Sequence, residues 1–299
     1  MVSLANNHIF DYGVEGFIDT VGFLKEQKIF YCGAGLNIKE ASKPCIIEKD
    51  NIKIGIIACG WDLIQCIPAS VNSPGVNILN LENVLSQIKN IRKEVDLLIT
   101  FIHWGYEFEI YPLPIHKNLA RKMVDSGVDI IVGSHPHVVQ GCEKYNNKFI
   151  FYSLGNFFFP DTYYGNKKID FKKKTGEYNI PFGGLVIKLA INDDLDDLRC
   201  EFYKTEYNID DNGIYSIEIN NFDEDFLSFW QKLNEPLLLE DRNYIVYFKR
   251  YRLRKRGLPI FRGDNMDKYR IMLFKIREIV VYLRNKFLKY IKNYIIREK

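Results

Sequence analysis

The sequence predicts an α/β domain with mixed sheets, followed by a basic helical extension at its C-terminal end. Apolar, β-branched runs alternate with helix-spaced segments over residues 1–160, the pattern of strands covered by helices. Three short loops rich in histidine each follow one of those runs. The charge also changes sign along the chain. Residues 244–299 hold 17 Lys and Arg against 4 Asp and Glu, and the remainder holds 24 against 34, for a net charge of +3. The expected division is therefore 1–221 for the α/β domain and 222–299 for the extension. At 299 residues the chain can bury a sizeable core. Its apolar fraction of 47% and charged fraction of 26% are those of an ordinary globular protein.

Taken in order, Val2–Ala5 is the first strand, and Gly13–Gln27 carries Val14, Phe17, Ile18, Val21 and Leu24 at helical spacing. Ile29–Cys32 is a short strand closed by Gly33-Ala34-Gly35. Pro44–Glu48 and Ile52–Cys59 flank a Lys49-Asp50-Asn51 turn, which reads as a hairpin. A helix over Asn80–Lys93, a strand over Val95–Ile102, a helix over Ile115–Ser126 and a strand over Val128–Val132 follow. Val138–Tyr145 and Phe149–Ser153 form a second hairpin around Asn146-Asn147-Lys148. Pro160–Pro181 is polar and aperiodic, a loop or lid. Gly183–Asn192, Arg199–Tyr207 and Ile214–Ile219 are strands, and Phe222–Leu233 is a helix. Tyr247–Arg256 is dense in cations, and Asp267–Arg297 is a long helix with an apolar stripe from Ile271 to Ile295.

The six cysteines form no CxxC pair and lie mostly in strand-like runs, so they read as small buried hydrophobes in a reducing compartment. There is no signal-peptide pattern, and no apolar run approaches the roughly 18 residues of a membrane span. As written, the chain is expected in the cytoplasm or at a membrane; a signal or anchor preceding Met1 would change that.

The chemistry is concentrated in LANNHIFDYG (4–13), FIHWGYEF (101–108) and VGSHPHVVQG (132–141). In an open α/β sheet, the residues just past the carboxyl ends of strands converge on the ligand crevice. Imidazole suits borderline transition-metal ions. His135 and His137 share one loop and can address one ion or two adjacent ones, His103 ends another strand, and Asn7 offers an amide oxygen. His116, on the helix Ile115–Ser126, reads as a surface or capping residue, and Trp104 as packing beside the site. Gly33-Ala34-Gly35 is too short for a dinucleotide loop, and neither GxSxG nor a P-loop occurs.

In order, spacing and wording, NNHxxDxG, HWGxE, GSHPHVxQG and YSLGNFxF (Tyr152–Phe159) resemble the motif series of the CapA/PgsA family. Those are capsule and poly-γ-glutamate biosynthesis proteins, similar to calcineurin-like metallophosphatases. The resemblance runs from Val2 to about Tyr207. It implies a metallophosphatase-like four-layer α-β-β-α sandwich with a two-metal site at the sheet edge. By position, Asn7, His103 and His135 would ligate one divalent ion and His137 the other, with Mn, Mg, Zn and Fe all open. His8 would face the scissile group as general acid or stabilise its developing charge, and Asp11 would orient it. Glu107 and Asn156 would support the ligands from behind.

One departure stands out. The family has a strand ending in Gly-Asp upstream of the first motif, and a loop with a further acidic residue; here the motif strand begins at residue 2. The fold is therefore expected to be incomplete at its N-terminal side, as a 5′-truncated reading or a degenerate copy. Neutral Asn and His ligands leave a dication its full charge, and two ions roughly 3.5–4 Å apart repel without a bridging anion.

The expected function is surface-polymer biosynthesis with a dinuclear-metal hydrolase site, the polymer machinery being the partner. The alternative is a non-catalytic assembly or scaffold factor of the same pathway. Residues 247–297 are expected to meet an anionic membrane surface or a partner protein. Nucleic acid is not an expected partner, since no recognition motif accompanies the basic residues.

Overall fold

In a computed structural model, residues 1–158, 162–164, 167–169, 183–190, 198–209 and 215–254 are described. Strand β1 (Val2–Ser3) leads through the first histidine loop into α1 (Gly13–Glu26), then β2 (Tyr31–Cys32), β3 (Ala34–Gly35) and the single turn α2 (Ile38–Ala41). Next come β4 (Cys45–Lys49), β5 (Ile52–Gly60), β6 (Gly75–Val76), α3 (Leu81–Ile91), β7 (Leu97–His103), α4 (Pro114–Asp125) and β8 (Ile130–Ser134). The hairpin β9 (Cys142–Tyr145) and β10 (Lys148–Phe151) precedes a small pair, β11 (Thr162–Tyr164) and β12 (Lys167–Ile169). A second sheet is built from β13 (Leu185–Ala190), β14 (Arg199–Ile209) and β15 (Tyr215–Asn220); α5 (Glu224–Asn234) and α6 (Asp241–Arg254) follow.

The main sheet has six strands in the order β4-β5-β7-β8-β10-β9. The four inner strands run parallel, and antiparallel β4 and β9 close the edges. Both edge strands arrive through two-residue hairpins. Asp50 and Asn51 have φ of 53° and 62°, and Asn146 and Asn147 have φ of 49° and 60°. Two consecutive positive φ values match the right-handed twist of the flanking strands, and Asn and Asp tolerate them best. This mixed α/β sheet is the architecture the sequence predicts.

Helices α3 and α4 cover one face. Asn80 caps α3 by accepting from the Asn83 amide at 3.2 Å, and α4 opens on Pro114, which lacks the amide that would go unpaired there. Val84, Ile88, Ala120 and Met123 from these helices share one core with Leu98 and Ile102 of β7. On the opposite face, Ile187 and Leu189 of β13 and Phe202 of β14 pack toward Ile130 and Phe151. Two sheets thus face each other, with helices outside the larger one.

The core continues past residue 221. Trp230 and Leu233 of α5 and Tyr244 and Phe248 of α6 belong to the same cluster as the helix-covered face. The Tyr244 hydroxyl donates to the Pro112 carbonyl at 2.7 Å. Buried Lys117 donates to the Leu239 carbonyl at 2.9 Å, and Arg121 bridges Glu143 and Asp241. So residues 222–254 do not stand apart from the α/β domain as a separate body. Phe248→Ala should lower the free energy of unfolding by about 3–5 kcal/mol in a denaturant titration. Exposed Arg250→Ala should stay within about 0.5 kcal/mol of the parent.

Some boundaries differ from those predicted. Over Val138–Gly141 the ladder is reduced to an isolated bridge, Val139 with Leu154, and the strand begins at Cys142; the Ser153 hydroxyl donates to the Val138 carbonyl at 2.8 Å and the Gln140 side chain to the Glu109 carbonyl at 2.7 Å. The stretch predicted as loop or lid holds the β11–β12 pair; the rest of 160–181 lies outside the described residues, as do 255–256 and the helix predicted over Asp267–Arg297. The six cysteines are free, as expected. Among the described residues, no helix is long and apolar enough to cross a membrane.

Candidate functional site

The three loops meet at the carboxyl ends of β1, β7 and β8. The Asn6 side chain accepts from the His8 amide at 2.9 Å, a local turn that sets Asn7 and His8 side by side. His103 is the last residue of β7, and Ser134, the last of β8, is its in-register neighbour. Beyond Ser134 the backbone is unusual. His135 and His137 have φ of 94° and 58°, a left-handed region that costs about 1–3 kcal/mol for such residues and persists where surrounding structure enforces it. Strain of this kind clusters at functional sites.

The side chains converge. The rings of His103 and His135 lie 4.8 Å apart between centroids, and those of His135 and His137 5.8 Å. Asn7 Oδ1 is 2.9 Å from His103 Nε2, and Ser134 Oγ is 3.0 Å from its Nδ1. With Nδ1–H donating to Ser134, the Nε2 lone pair and the Asn7 oxygen would face one point. His137 Nδ1 pairs with Asn156 Oδ1 at 2.9 Å, and the Asn156 amide donates back to the His137 carbonyl at 3.3 Å, so Asn156 fixes the HxH loop. His8 Nδ1 pairs with Asp11 Oδ2 at 2.8 Å, and the Asn7 amide nitrogen approaches His8 Nε2 at 3.3 Å. Glu107 is not brought in: it is exposed, and no hydrogen bond ties it to the histidines. Ser134 escaped sequence reasoning, although it directly precedes His135.

Burial sets the electrostatics. It is the first cause pushing His103 down to about 4, followed by repulsion from His137 and His8. Burial likewise pushes His135 down to about 3, with His103 the next cause. Both rings are thus neutral near pH 7, the protonation state a metal ion requires. His135 Nδ1 is buried with no hydrogen-bond partner, a cost of about 1–3 kcal/mol if nothing binds there.

Whether these residues suit a divalent ion can be judged from the donors. By donor type, imidazole nitrogens and an amide oxygen suit a single borderline ion such as zinc or iron. They do not suit the two-ion centre that the motifs imply. Asp11, the one carboxylate bonded to the cluster among the described residues, is engaged with His8. Among those residues, no group of three His, Cys, Asp or Glu side chains is placed so that it could hold a metal ion.

His116 is the clearest departure from expectation. It is 1% exposed, not on the surface, stacked on Trp104 at 4.7 Å and met edge-on by Trp61 at 4.7 Å. The Trp104 indole donates to the Tyr152 carbonyl at 2.9 Å, so this aromatic stack backs the strand end that carries His103. Burial pushes His116 from 6.5 down to about 3. The unfolded chain takes up a proton there near pH 6.5 and the folded chain does not. Stability is therefore lost as pH falls from about 6.5 toward about 3. His116→Phe should remove this share, so the parent should lose about 2 kcal/mol more than the variant between pH 6.5 and 4.5 in denaturant titrations.

A family model described as bacterial capsule synthesis protein PGA_cap matches residues 1–161. The PGA biosynthesis protein CapA of Bacillus subtilis (strain 168) is 39% identical over 161 residues, covering 53% of this chain and 42% of that protein. The capsule biosynthesis protein CapA of Bacillus anthracis is 37% identical over 163 residues, covering 53% and 40%. The chain thus spans less than half the length of these relatives. Among solved structures, a 5′-nucleotidase precursor from Thermus thermophilus aligns with a TM-score of 0.34 at 15% identity, over 83% of this chain and 42% of that one. That likeness is too slight to argue from.

Proposed function

The chain belongs to the family of bacterial capsule synthesis proteins described as PGA_cap, and on that premise we propose that it serves the making of a capsule or poly-γ-glutamate-type surface polymer. The observation that carries a chemical role is the convergence of Asn7, His103, His135 and His137 from three strand ends, two of them in enforced left-handed backbone. The reading is a metal-dependent, hydrolase-type site acting together with the polymer machinery.

His103, His135 and His137 would hold a divalent ion, with Asn7 as the oxygen donor. Such an ion supplies Lewis-acid polarisation of a phosphoryl or acyl oxygen when bound. Asp11 holds His8 through Nδ1, and the His8 Nε2 lies 3.3 Å from the Asn7 side-chain nitrogen, so His8 would serve as an oriented proton donor where substrate takes the place of that contact. At 67% side-chain exposure, His8 remains open to a large substrate. Asn156 keeps His137 aimed, and the Trp61–His116–Trp104 stack makes a dry wall behind the cluster.

The test is hydrolysis of an aryl phosphate and of a γ-glutamyl anilide by the zinc- or manganese-loaded chain. His8→Gln should lower turnover about 100-fold or more, with metal content unchanged. A loaded chain that cleaves neither compound, together with normal polymer yield in cells carrying His8→Gln, would leave only the assembly-factor reading.

A further inference from the structure

The loop that follows β7 is fastened to the loop that follows β8 through Phe108. The backbone there is strained. Phe108 has φ of 57°, and among the described non-glycine residues it is the one apolar residue in the left-handed region. Asn and Asp enter that region readily, whereas a bulky side chain there is an outlier. Such a conformation persists only where its surroundings enforce it.

Three contacts do so. The Phe108 amide donates to the Pro136 carbonyl at 2.8 Å. One residue on, the Glu109 carbonyl accepts from the Gln140 side chain at 2.7 Å. Gly105 lets the proline ring close in, since a Cβ there would stand 3.2 Å from Pro136 Cγ. Pro136 lies between His135 and His137, so the Phe108 amide holds the middle of the turn that presents both histidines.

The side chain adds a second hold. The half-buried Phe108 ring packs against His137, with 6.3 Å between centroids and a tilt of 36°, within the range of an aromatic pair. Asn156 bonds the Nδ1 edge of the same imidazole. A glycine at 108 would supply the same amide with no strain. What phenylalanine adds is the ring, and the ring meets His137.

We propose that Phe108 is a positioning residue for this site. Its left-handed backbone pins the turn between His135 and His137, and its ring aims the His137 imidazole toward the donor cluster. The inference rests on the reading of His137 as a metal donor and adds a residue outside the ligand set.

Two variants separate strain from positioning. Phe108→Gly and Phe108→Ala both delete the ring, and only glycine takes the left-handed backbone without strain. In the metal-free chain the Gly variant should melt about 2 °C or more above the Ala variant, the reverse of the usual order of these residues. Cobalt(II) then probes the site, because its visible absorption bands follow the geometry of its ligands. The Gly variant should bind cobalt about tenfold or more weakly than the parent, with altered bands. Phe108→Tyr keeps the ring and should match the parent in both. The Gly variant keeps the amide and loses the strain, so its weaker binding reads the ring and not the fold. The proposal is overturned if the Gly variant melts below the Ala variant, or if it binds cobalt with the parent's affinity and bands. A parent that takes up no cobalt sinks the metal-donor reading and this role with it. A parent that binds cobalt no differently from the Gly variant sinks this role alone.

Discussion

Replacing His135 by alanine should cost the protein at least about 100-fold in zinc affinity, while far-ultraviolet circular dichroism stays that of the parent. Loss of a residue that merely supports a ligand already costs about 10–100-fold, and His135 is proposed as a ligand itself. It stands between His103 and His137, so its removal breaks the donor cluster in the middle. Burial keeps it neutral, so no proton must be displaced near pH 7. Its Nδ1 makes no hydrogen bond, so the fold loses no polar contact there with the ring. Calorimetric titration of parent and variant measures the difference. Equal affinities would remove His135 from the site.

Gly133→Ala should unfold or nearly unfold the domain, by about 3 kcal/mol or more in a denaturant titration. A Cβ on Gly133 would stand 1.9 Å from the Tyr152 carbonyl oxygen and 2.6 Å from Trp104 Nε1, atoms that are hydrogen-bonded to each other. The backbone cannot yield without separating β8 from the segment after β10. The same shift would move His135, two residues on, so zinc affinity should fall with stability. Gly22 in α1 is the contrast: a Cβ there meets nothing within 4 Å. Gly22→Ala should stabilise the protein by about 0.5–1 kcal/mol through helix propensity and reduced freedom of the unfolded chain.

The parallel strands were legible because Ile, Val and Leu crowd into short runs, and the hairpins because Asp50-Asn51 and Asn146-Asn147 are residues that accept positive φ. The Asn80 cap fell just before the apolar spacing began. The histidine loops were legible because each follows a strand. What escaped depended on tertiary contact. Helix α6 was hidden by its cations, although Tyr244 and Phe248, four residues apart, form the stripe it buries. His116 was misplaced because a polar ring one turn into a helix usually faces water; here two tryptophans from distant loops enclose it. Glu107 follows His103 by four residues, but the turn at Gly105, with φ of 85°, precedes an exposed position. Strands β3 and β6, two residues each, are too short to leave a period in the sequence.

The metal content of the whole chain near pH 7 tests the three-loop site most directly. Dialysis against micromolar zinc followed by elemental analysis should find one ion per polypeptide in the parent, and none in the His103→Ala or His135→Ala variants. A parent without bound zinc, or the same content in all three proteins, would contradict the assignment of these three loops to a metal site.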